Sequence, residues 1–289
     1  MSGIYASYHR SLGKRDVETK HGTSYFQKYL EAKFFLFGSL GYGLDVFASN
    51  LVNGGPPPIG VKLAKLNNFV KDVILQFALQ EVGHLRAIKN IMRGLLRPLL
   101  DLRVKPFSKV MESTIRQPLY PLFDPYANEI NFLLASYLIP YVDLTSYVGA
   151  IPLLQNATSK KLIAGLLAVE SGQDAVIRAS LYERRALLVH LYGVGVEVFT
   201  ERILALRNKL GNAGLKDEGL VVPITKGAEG KVVGNILAGD NDSLAYSRTP
   251  QKILRIIFGG GDEHVIGGFY PSGGIGRIAR SYINYGDKS

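Results

Sequence analysis

Two polar side chains, Glu81 and His84, interrupt the apolar face of a long predicted helix. The face follows steps of three and four residues through Ile74, Phe77, Glu81, His84, Ile88, Ile91 and Leu95. Glu81 and His84 therefore point together into whatever this face packs against, about one helical turn apart. Because a charged group in a packed interface costs several kcal/mol without a partner or a metal ion, the pair needs a chemical explanation.

A Glu-x-x-His pair on a core helix is one of the patterns by which helical bundles hold iron or manganese. In such carboxylate centres two helices each supply Glu-x-x-His, and two others each supply one Glu. The spacing lets the carboxylate bridge or chelate the metal while the imidazole coordinates it from the same side. The alternative is a buried, hydrogen-bonded Glu81–His84 pair without a metal, and this helix alone does not distinguish the two.

A second predicted helix, from Ser159 to about His190, repeats the interruption. Its apolar face reads Ile163, Leu166, Glu170, Gln173, Ile177 and Ser180. A carboxylate and a polar partner again lie at i and i+3, although the partner is now an amide. Two helices with the same polar break predict that the two breaks meet in the interior of the protein.

Three more helices and one long connection complete the predicted bundle. The helices run from Tyr25 to about Val52, from Ala127 to about Leu154 and from Val196 to Lys209. The connection, residues 95–126, contains five prolines and fits a crossover between two parallel helices. Glu31 lies near the start of the first helix, where the helix dipole alone accounts for an acid.

The third helix contains Pro140 and Asp143 within an otherwise apolar stretch. A transmembrane span is the competing interpretation for such a stretch. The proline and the acid in mid-segment argue against it, and a helix buried inside a bundle fits better. For Asp143 we expect a salt-bridge or kink-solvating role in preference to metal binding.

Composition restricts both the metal ligands and the partners. The 289 residues include no cysteine, so any metal must be held by oxygen and nitrogen ligands. The net charge of +10 favours anionic surroundings such as polysaccharide, phosphate or a membrane surface. The chain has no Lys/Arg-rich run and no recognisable nucleic-acid-binding motif, so we do not expect a nucleic-acid partner.

The sequence divides into three predicted regions. Residues 1–23 form a basic tail, residues 24–210 an all-α bundle, and residues 211–289 an irregular, glycine-rich extension that wraps the bundle. One short helix is expected in the extension after Thr249, with Pro250 at its first position. The helix from Val196 carries an apolar stripe and is expected to pack against the bundle without chemistry of its own.

Several long strings are similar to the plant desiccation-related proteins of the ferritin-like superfamily. They are Gly54-Gly-Pro-Pro-Pro-Ile-Gly60, Gln76-Phe-Ala-Leu-Gln-Glu-Val-Gly-His-Leu-Arg-Ala-Ile88, Phe123-Asp-Pro-Tyr-Ala127, Glu170-Ser-Gly-Gln-Asp-Ala-Val-Ile-Arg178, Leu206-Arg-Asn-Lys-Leu-Gly211, Lys216-Asp-Glu-Gly-Leu-Val-Val-Pro223 and Leu244-Ala-Tyr-Ser-Arg-Thr-Pro250. The resemblance implies a ferritin-like four-helix bundle, with a long crossover between helices two and three, and a role in dehydration stress. It also implies an extracellular or cell-wall location, because family members usually carry a secretory leader. Residues 1–20 contain no apolar run, so an intracellular or organellar location is the alternative.

The resemblance further implies a metal site, carried over position by position. It places Glu31 on the first helix, Glu81 and His84 on the second, and Glu170 with Gln173 on the fourth. Gln173 stands where a second His is expected, and Pro140 stands where a fourth carboxylate is expected. The reduced set of ligands predicts one manganese or iron ion in place of two.

Three functions are compatible with these features. The first is a stress protein that binds one divalent transition metal and so limits oxidative damage during drying. The second is a non-catalytic structural protectant with a metal-free polar core, whose basic surface contacts anionic cell-wall polymers or membranes. The third is an enzyme that uses a cavity in the core on a small apolar substrate. A homo-oligomer is compatible with each.

Overall fold

The computed structural model describes residues 27–91 and 96–273, which form helices and one small β-hairpin. The helices are α1 (residues 27–40), α2 (Leu44–Phe47), α3 (Asn68–Ile91), α4 (Val104–Ile115), α5 (Glu129–Tyr137), α6 (Pro140–Ala150), α7 (Ala157–Glu183), α8 (Val196–Gly211) and α9 (Pro250–Ile257). The hairpin pairs β1 (Leu188–Val189) with β2 (Val194–Gly195) in antiparallel orientation. The predicted basic tail, residues 1–23, lies outside the described residues.

Four helical positions form the bundle: α1, α3, α5 together with α6, and α7. Aromatic side chains join them in the core, where the ring of Phe34 on α1 stacks on that of Phe132 on α5 with 4.4 Å between centroids. The ring of Phe35 lies 6.2 Å from that of Phe77 on α3. The predicted all-α bundle is confirmed, and α8 packs against α4 and α5 as the expected extra helix. None of the described helices has both the length and the apolar character needed to cross a bilayer.

The first predicted helix is shorter than expected. It ends at residue 40 and not near Val52, because Gly41 takes a left-handed conformation with φ +81°. The chain then continues through the single turn of α2 and a 3₁₀ turn, Ser49–Leu51. The glycines that lower helix propensity in this stretch therefore end the helix.

Two predictions around the prolines are wrong. The third predicted helix is two helices, because Pro140 has no N–H for a helical hydrogen bond and instead occupies the first turn of α6. The predicted connection, residues 95–126, is not without helix but contains α4, in which Pro106 lies in the first turn, where a proline is tolerated. Helix α4 ends where Arg116 adopts φ +62°.

The fourth predicted helix, α7, is displaced towards the N-terminus at both ends. Its N-cap is Asn156 and not Ser159, since Oδ1 of Asn156 accepts hydrogen bonds from the backbone N–H groups of Thr158 and Ser159 at 2.8 and 3.2 Å. It ends at Glu183 and not at His190, which lies in the hairpin that follows. The central part of the helix, which carries its polar break, is as predicted.

A buried arginine, Arg178 of α7, is one anchor of the C-terminal extension on the bundle. Its guanidinium donates hydrogen bonds to four backbone carbonyl groups of the extension, those of Glu218, Gly219, Asn235 and Ile236, at 2.7–3.1 Å. It also donates to the hydroxyl of Tyr137 at 3.0 Å, and its own exposure is 0%. The expectation that the extension wraps the bundle agrees with this anchoring for its described part.

A second close contact joins the extension to α6 at Gly149. A Cβ atom added at Gly149 would lie 2.2 Å from the carbonyl oxygen of Arg248, whose backbone N–H bonds to Thr145. We therefore expect Gly149→Ala to lower the free energy of unfolding by about 1–3 kcal/mol, measured by urea denaturation. The matched control is Gly165→Ala on the exposed side of α7, where nothing lies within 4 Å. This change should raise stability by up to about 1 kcal/mol, and equal losses in both variants would contradict the prediction.

Candidate metal centre

The polar breaks of α3 and α7 face each other inside the bundle. Glu81 and Glu170 are fully buried, and His84 is 9% exposed. Gln173 bridges the two helices, because its Nε2 donates to Oε1 of Glu81 at 3.0 Å and to Oε1 of Gln80 at 3.0 Å. The apolar residues that flank each break turn it inward, since their burial fixes how the helices are oriented.

Two further carboxylates come from the other two positions of the bundle. Glu31 lies on α1 and Asp143 in the first turn of α6, and both are fully buried. Ligand-type atoms of Glu81, His84 and Glu170 lie within 4.8 Å of one another, and so do those of Glu31, Asp143 and Glu170. Because Glu170 belongs to both groups, side chains from all four positions meet at one buried site.

A lysine that the sequence analysis did not single out lies among these carboxylates. Nζ of Lys28 on α1 donates hydrogen bonds to Glu31 and Glu170. It also lies 3.0 Å from Oε2 of Glu81 and 3.0 Å from Oδ2 of Asp143. The six residues Lys28, Glu31, Glu81, His84, Asp143 and Glu170 are called the charge cluster below. The usable signal was the i, i+3 spacing of Lys28 and Glu31, which places them on one face of α1.

Asp143 takes the place that the sequence left without a carboxylate. Pro140 begins α6, and Asp143 follows it one turn later with its carboxylate in contact with Lys28. The expected salt-bridge role of Asp143 is therefore present in the structure. The same carboxylate also belongs to a group that could hold a metal, which the sequence analysis did not favour.

Burial and mutual charge together set the protonation of the charge cluster. Burial raises the pKa of Asp143 to about 8, although Lys28 opposes this shift. Burial, reinforced by the neighbouring carboxylates, raises the pKa of Glu31 well above its ordinary value. Burial would raise the pKa of Glu81 too, but Lys28 and His84 outweigh it and lower that pKa to about 2. Glu81 therefore stays ionised without a metal.

The imidazole of His84 has a pKa shifted in the basic direction. Burial would lower this pKa, but the nearby Glu170 and Glu81 outweigh burial and raise it to about 9. Nδ1 of His84 lies 3.0 Å from Oε1 of Glu81 and 3.5 Å from Oε1 of Glu170. A positive charge at this position, whether a proton or a metal ion, is thus favoured by the surrounding acids.

The donor set of the charge cluster fits a small dication. Its four acids, if all ionised, exceed the charge of Lys28 by three when the imidazole of His84 is neutral, as a metal ligand must be. In the described part of the chain three buried carboxylate oxygens of the cluster have no hydrogen-bond partner: Oε1 of Glu31, Oδ1 of Asp143 and Oε2 of Glu170. The ion pairs of these acids use the other oxygen of each. Since an unpartnered buried polar atom costs free energy, a cation bound among them would be stabilising.

The raised pKa values predict how the stability of the metal-free protein depends on pH. Asp143 and His84 have ordinary values of 3.8 and 6.5 and folded values of about 8 and 9. Between pH 6.5 and 8 the folded protein therefore keeps protons that the unfolded chain releases, so stability is lost as pH rises. We expect the free energy of unfolding of chelator-treated protein to fall by on the order of 1 kcal/mol per pH unit across this window.

Urea denaturation at a series of pH values measures this dependence. The variant Asp143→Asn should show a shallower fall, because the amide does not titrate. Stability that stays constant from pH 6.5 to 8 in the unmodified protein would contradict the prediction.

The comparisons with known proteins agree with this architecture. The family model for the ferritin-like domain matches residues 24–183, and the chain belongs to this ferritin-like family. It is 52% identical over 255 residues to the desiccation-related protein PCC13-62 of Craterostigma plantagineum, covering 86% of this chain and 80% of the relative. It is 49% identical over 256 residues to the ferritin-like catalase Nec2 of Nesocodon mauritianus, covering 89% of this chain and 82% of the relative. No solved structure was found to match the chain.

These relatives confirm the resemblance to desiccation-related proteins and the ferritin-like bundle expected from the sequence. Both matches extend well beyond the residues that the family model covers, so the likeness includes much of the C-terminal extension. The candidate ligands lie on helices inside the matched range, and their role is taken up as a proposal below.

Proposed function

We propose that this protein binds one divalent transition metal ion, manganese or iron, as a ferritin-like protein of dehydration stress. Glu81, His84 and Glu170 are the proposed ligands, with Glu31 and Asp143 completing the oxygen shell. The observation that supports this most is the convergence of four buried carboxylates and one imidazole from all four positions of the bundle, with three carboxylate oxygens that have no hydrogen-bond partner. Mixed carboxylate and imidazole donors suit manganese and iron, which bind oxygen and nitrogen ligands.

Each residue of the site has a distinct task in this proposal. Gln173 orients the carboxylate of Glu81 through its hydrogen bond and is a positioning residue, since a neutral amide is a poor ligand for these metals. His84 is the one proposed ligand with solvent access, because its side chain is 11% exposed whereas those of Glu81 and Glu170 are 0% exposed. Small solutes would therefore approach the site past the imidazole.

Peroxide disproportionation is a second candidate function, because a relative of 49% identity is named a ferritin-like catalase. The reaction converts two molecules of hydrogen peroxide into two of water and one of dioxygen. A bound redox-active metal would supply the electron transfer. In this candidate Glu81, His84 and Glu170 would hold the metal, and Asp143 would supply a proton donor, since its raised pKa of about 8 keeps the carboxyl protonated near neutral pH. Removal of peroxide would limit oxidative damage during drying.

Lys28 favours the metal-free polar core as the competing function. Its ammonium already bonds to Glu31 and Glu170, so the core holds an internal counter-ion when no metal is present. A dication would compete with Lys28 for the same carboxylate oxygens. In the metal-free case the protein would act as a structural protectant, and its net charge of +10 would favour contact with anionic cell-wall polymers or membranes.

Metal analysis separates a metal-binding protein from a metal-free structural protectant. The protein is prepared without chelator, incubated anaerobically with Mn(II) or Fe(II), and desalted. Elemental analysis by inductively coupled plasma mass spectrometry should then find about one ion per chain. The double variant Glu81→Gln, His84→Gln should retain less than about a tenth of that amount, because both ligand types are lost. Oxygen release from peroxide should fall in parallel if the catalase candidate is correct.

The matched control changes an exposed group of the same residue types. Asp262→Asn with His264→Gln alters the exposed group formed by Asp262, Glu263 and His264, and it should leave the metal content unchanged. Metal-free wild-type protein that is folded by circular dichroism would overturn the metal proposal and leave the structural protectant.

A further inference from the structure

A cavity of about 360 Å³ lies beside the charge cluster, between α4, α8, α9 and the ends of α1 and α5–α6. Its volume falls within the range of about 300–1,000 Å³ found for small-molecule sites. Gln27 of α1 and Val142 of α6 line it, and each is next in sequence to a member of the charge cluster. The cavity therefore adjoins the candidate metal centre but has walls of its own.

Most of the cavity wall is apolar. The link between α5 and α6, helix α6 itself and helix α8 contribute aliphatic side chains, and the segment from α9 to residue 270 contributes aromatic ones. The apolar residues include Leu30, Leu138, Ile139, Val142, Ile203 and Phe269. An apolar chain placed there would be removed from water on most sides, which is favourable in proportion to its area.

The rim of the cavity on α4 is basic. Lys105 and Lys109 are spaced i, i+4, line the cavity and are both exposed, and neither forms an ion pair with any of residues 27–91 and 96–273. The one acid of the rim, Asp101, is already neutralised by Arg103, whose Nε and Nη2 donate to it at 2.8 and 2.5 Å. The rim therefore offers two unpaired ammonium groups above an apolar interior.

We propose that this cavity binds an amphipathic monocarboxylate, such as a medium-chain fatty acid, with its hydrocarbon chain inside and its carboxylate at Lys105 and Lys109. The combination of an apolar wall with uncompensated positive charge at one edge selects this class of ligand over neutral or cationic amphiphiles. The inference does not depend on metal binding, because none of the proposed metal ligands lines the cavity.

Isothermal titration calorimetry of the full chain with decanoate, octanoate and 1-decanol tests the proposal. Decanoate should bind at least about tenfold more tightly than octanoate, because each buried methylene is worth up to about fourfold in affinity. Decanoate should also bind more tightly than 1-decanol. Equal affinity for decanoate and 1-decanol would overturn the role of the lysines, and no binding of decanoate would overturn the site.

Variants locate the site on the protein. Lys105→Gln with Lys109→Gln should weaken decanoate about fivefold and leave 1-decanol unchanged, since two exposed charge interactions are lost. The matched control is Lys160→Gln with Lys161→Gln at the exposed start of α7, which should leave decanoate binding unchanged. An equal loss in both lysine pairs would show binding to basic surface in general and would overturn the proposal.

A cavity-filling variant tests the apolar interior. Val110 on α4 is half-buried at the cavity wall, and Val110→Trp should reduce the affinity for both decanoate and 1-decanol by tenfold or more. If this variant fails to fold by circular dichroism, Leu206→Phe fills the same space from α8. Undiminished binding in the folded variant would overturn the assignment of the site.

Discussion

Replacing Lys28 with methionine should lower the free energy of unfolding of the metal-free protein by about 3–5 kcal/mol. The reason is that Lys28 is fully buried and is in contact with four buried carboxylates, those of Glu31, Glu81, Asp143 and Glu170. Methionine fills a similar volume but leaves these acids without their counter-ion. Urea denaturation of chelator-treated protein measures the loss.

The same variant should respond more strongly than the wild type to a metal ion. With Lys28 removed, a dication no longer competes with an ammonium group, so Mn(II) should raise the melting temperature of Lys28→Met further than that of the wild type. The matched control is Lys33→Met on the same helix. Lys33 is also buried, but it pairs with Asp45, a half-exposed residue outside the charge cluster. Equal metal responses in the two variants would contradict a site at Lys28.

Replacing Arg178 with alanine should detach the C-terminal extension and lower the free energy of unfolding by about 3–5 kcal/mol. Arg178 donates to four carbonyl groups of the extension, which lose these hydrogen bonds in the variant. Trypsin should then cut the variant at Lys226 and Lys231 faster than the wild type. Mass spectrometry of the first fragments identifies these cuts.

Arg184→Ala is the control for the arginine prediction. Arg184 caps the end of the same helix, is partly exposed, and pairs with Glu129 and Glu183 at 3.6 and 2.9 Å. Because partly exposed pairs contribute about 0–1 kcal/mol, this variant should be nearly as stable as the wild type. A protease pattern for Arg178→Ala that matches the control would show that the extension is held by other contacts.

The central helices of the bundle could be predicted because their apolar faces are long and regular. Four residues could be identified because each is polar at a position where the helical repeat predicts an apolar residue: Glu81, His84, Glu170 and Gln173. The structure places all four at one buried interface. A polar residue inside a strong pattern is therefore informative about neighbours in space.

Lys28 and Glu31 could not be assigned in the same way, because they lie close to the start of a helix. Charged residues are common in a first turn for reasons of capping and dipole, so their types carry little information there. Their burial arises only when α3, α6 and α7 close over α1. Their i, i+3 spacing places them on one face of the helix, but that spacing does not show that the face is buried.

The ends of the helices also could not be predicted from the sequence patterns. Pro106 suggested a connection, yet it fits within the first turn of α4. Pro140 suggested a kink and in fact separates two helices, so that Asp143 enters the interior from the first turn of α6. In each case the position at which the helix begins depends on the neighbours that the segment packs against. Hydrophobic periodicity contains no information about those neighbours.

The complete burial of the Lys28 contacts has a consequence for a cell that loses water. As water leaves, dissolved salt becomes more concentrated, and the distance over which surface charges act shrinks from about 8 Å at 0.15 M to about 3 Å at 1 M. Attraction between the basic exterior and any anionic polymer then fades. Dissolved salt screens buried ion pairs much less, and the side chains of Lys28, Glu31 and Asp143 are 0% exposed. The ion pairs of Lys28 that join the helices should therefore persist at the high salt concentration that dehydration produces.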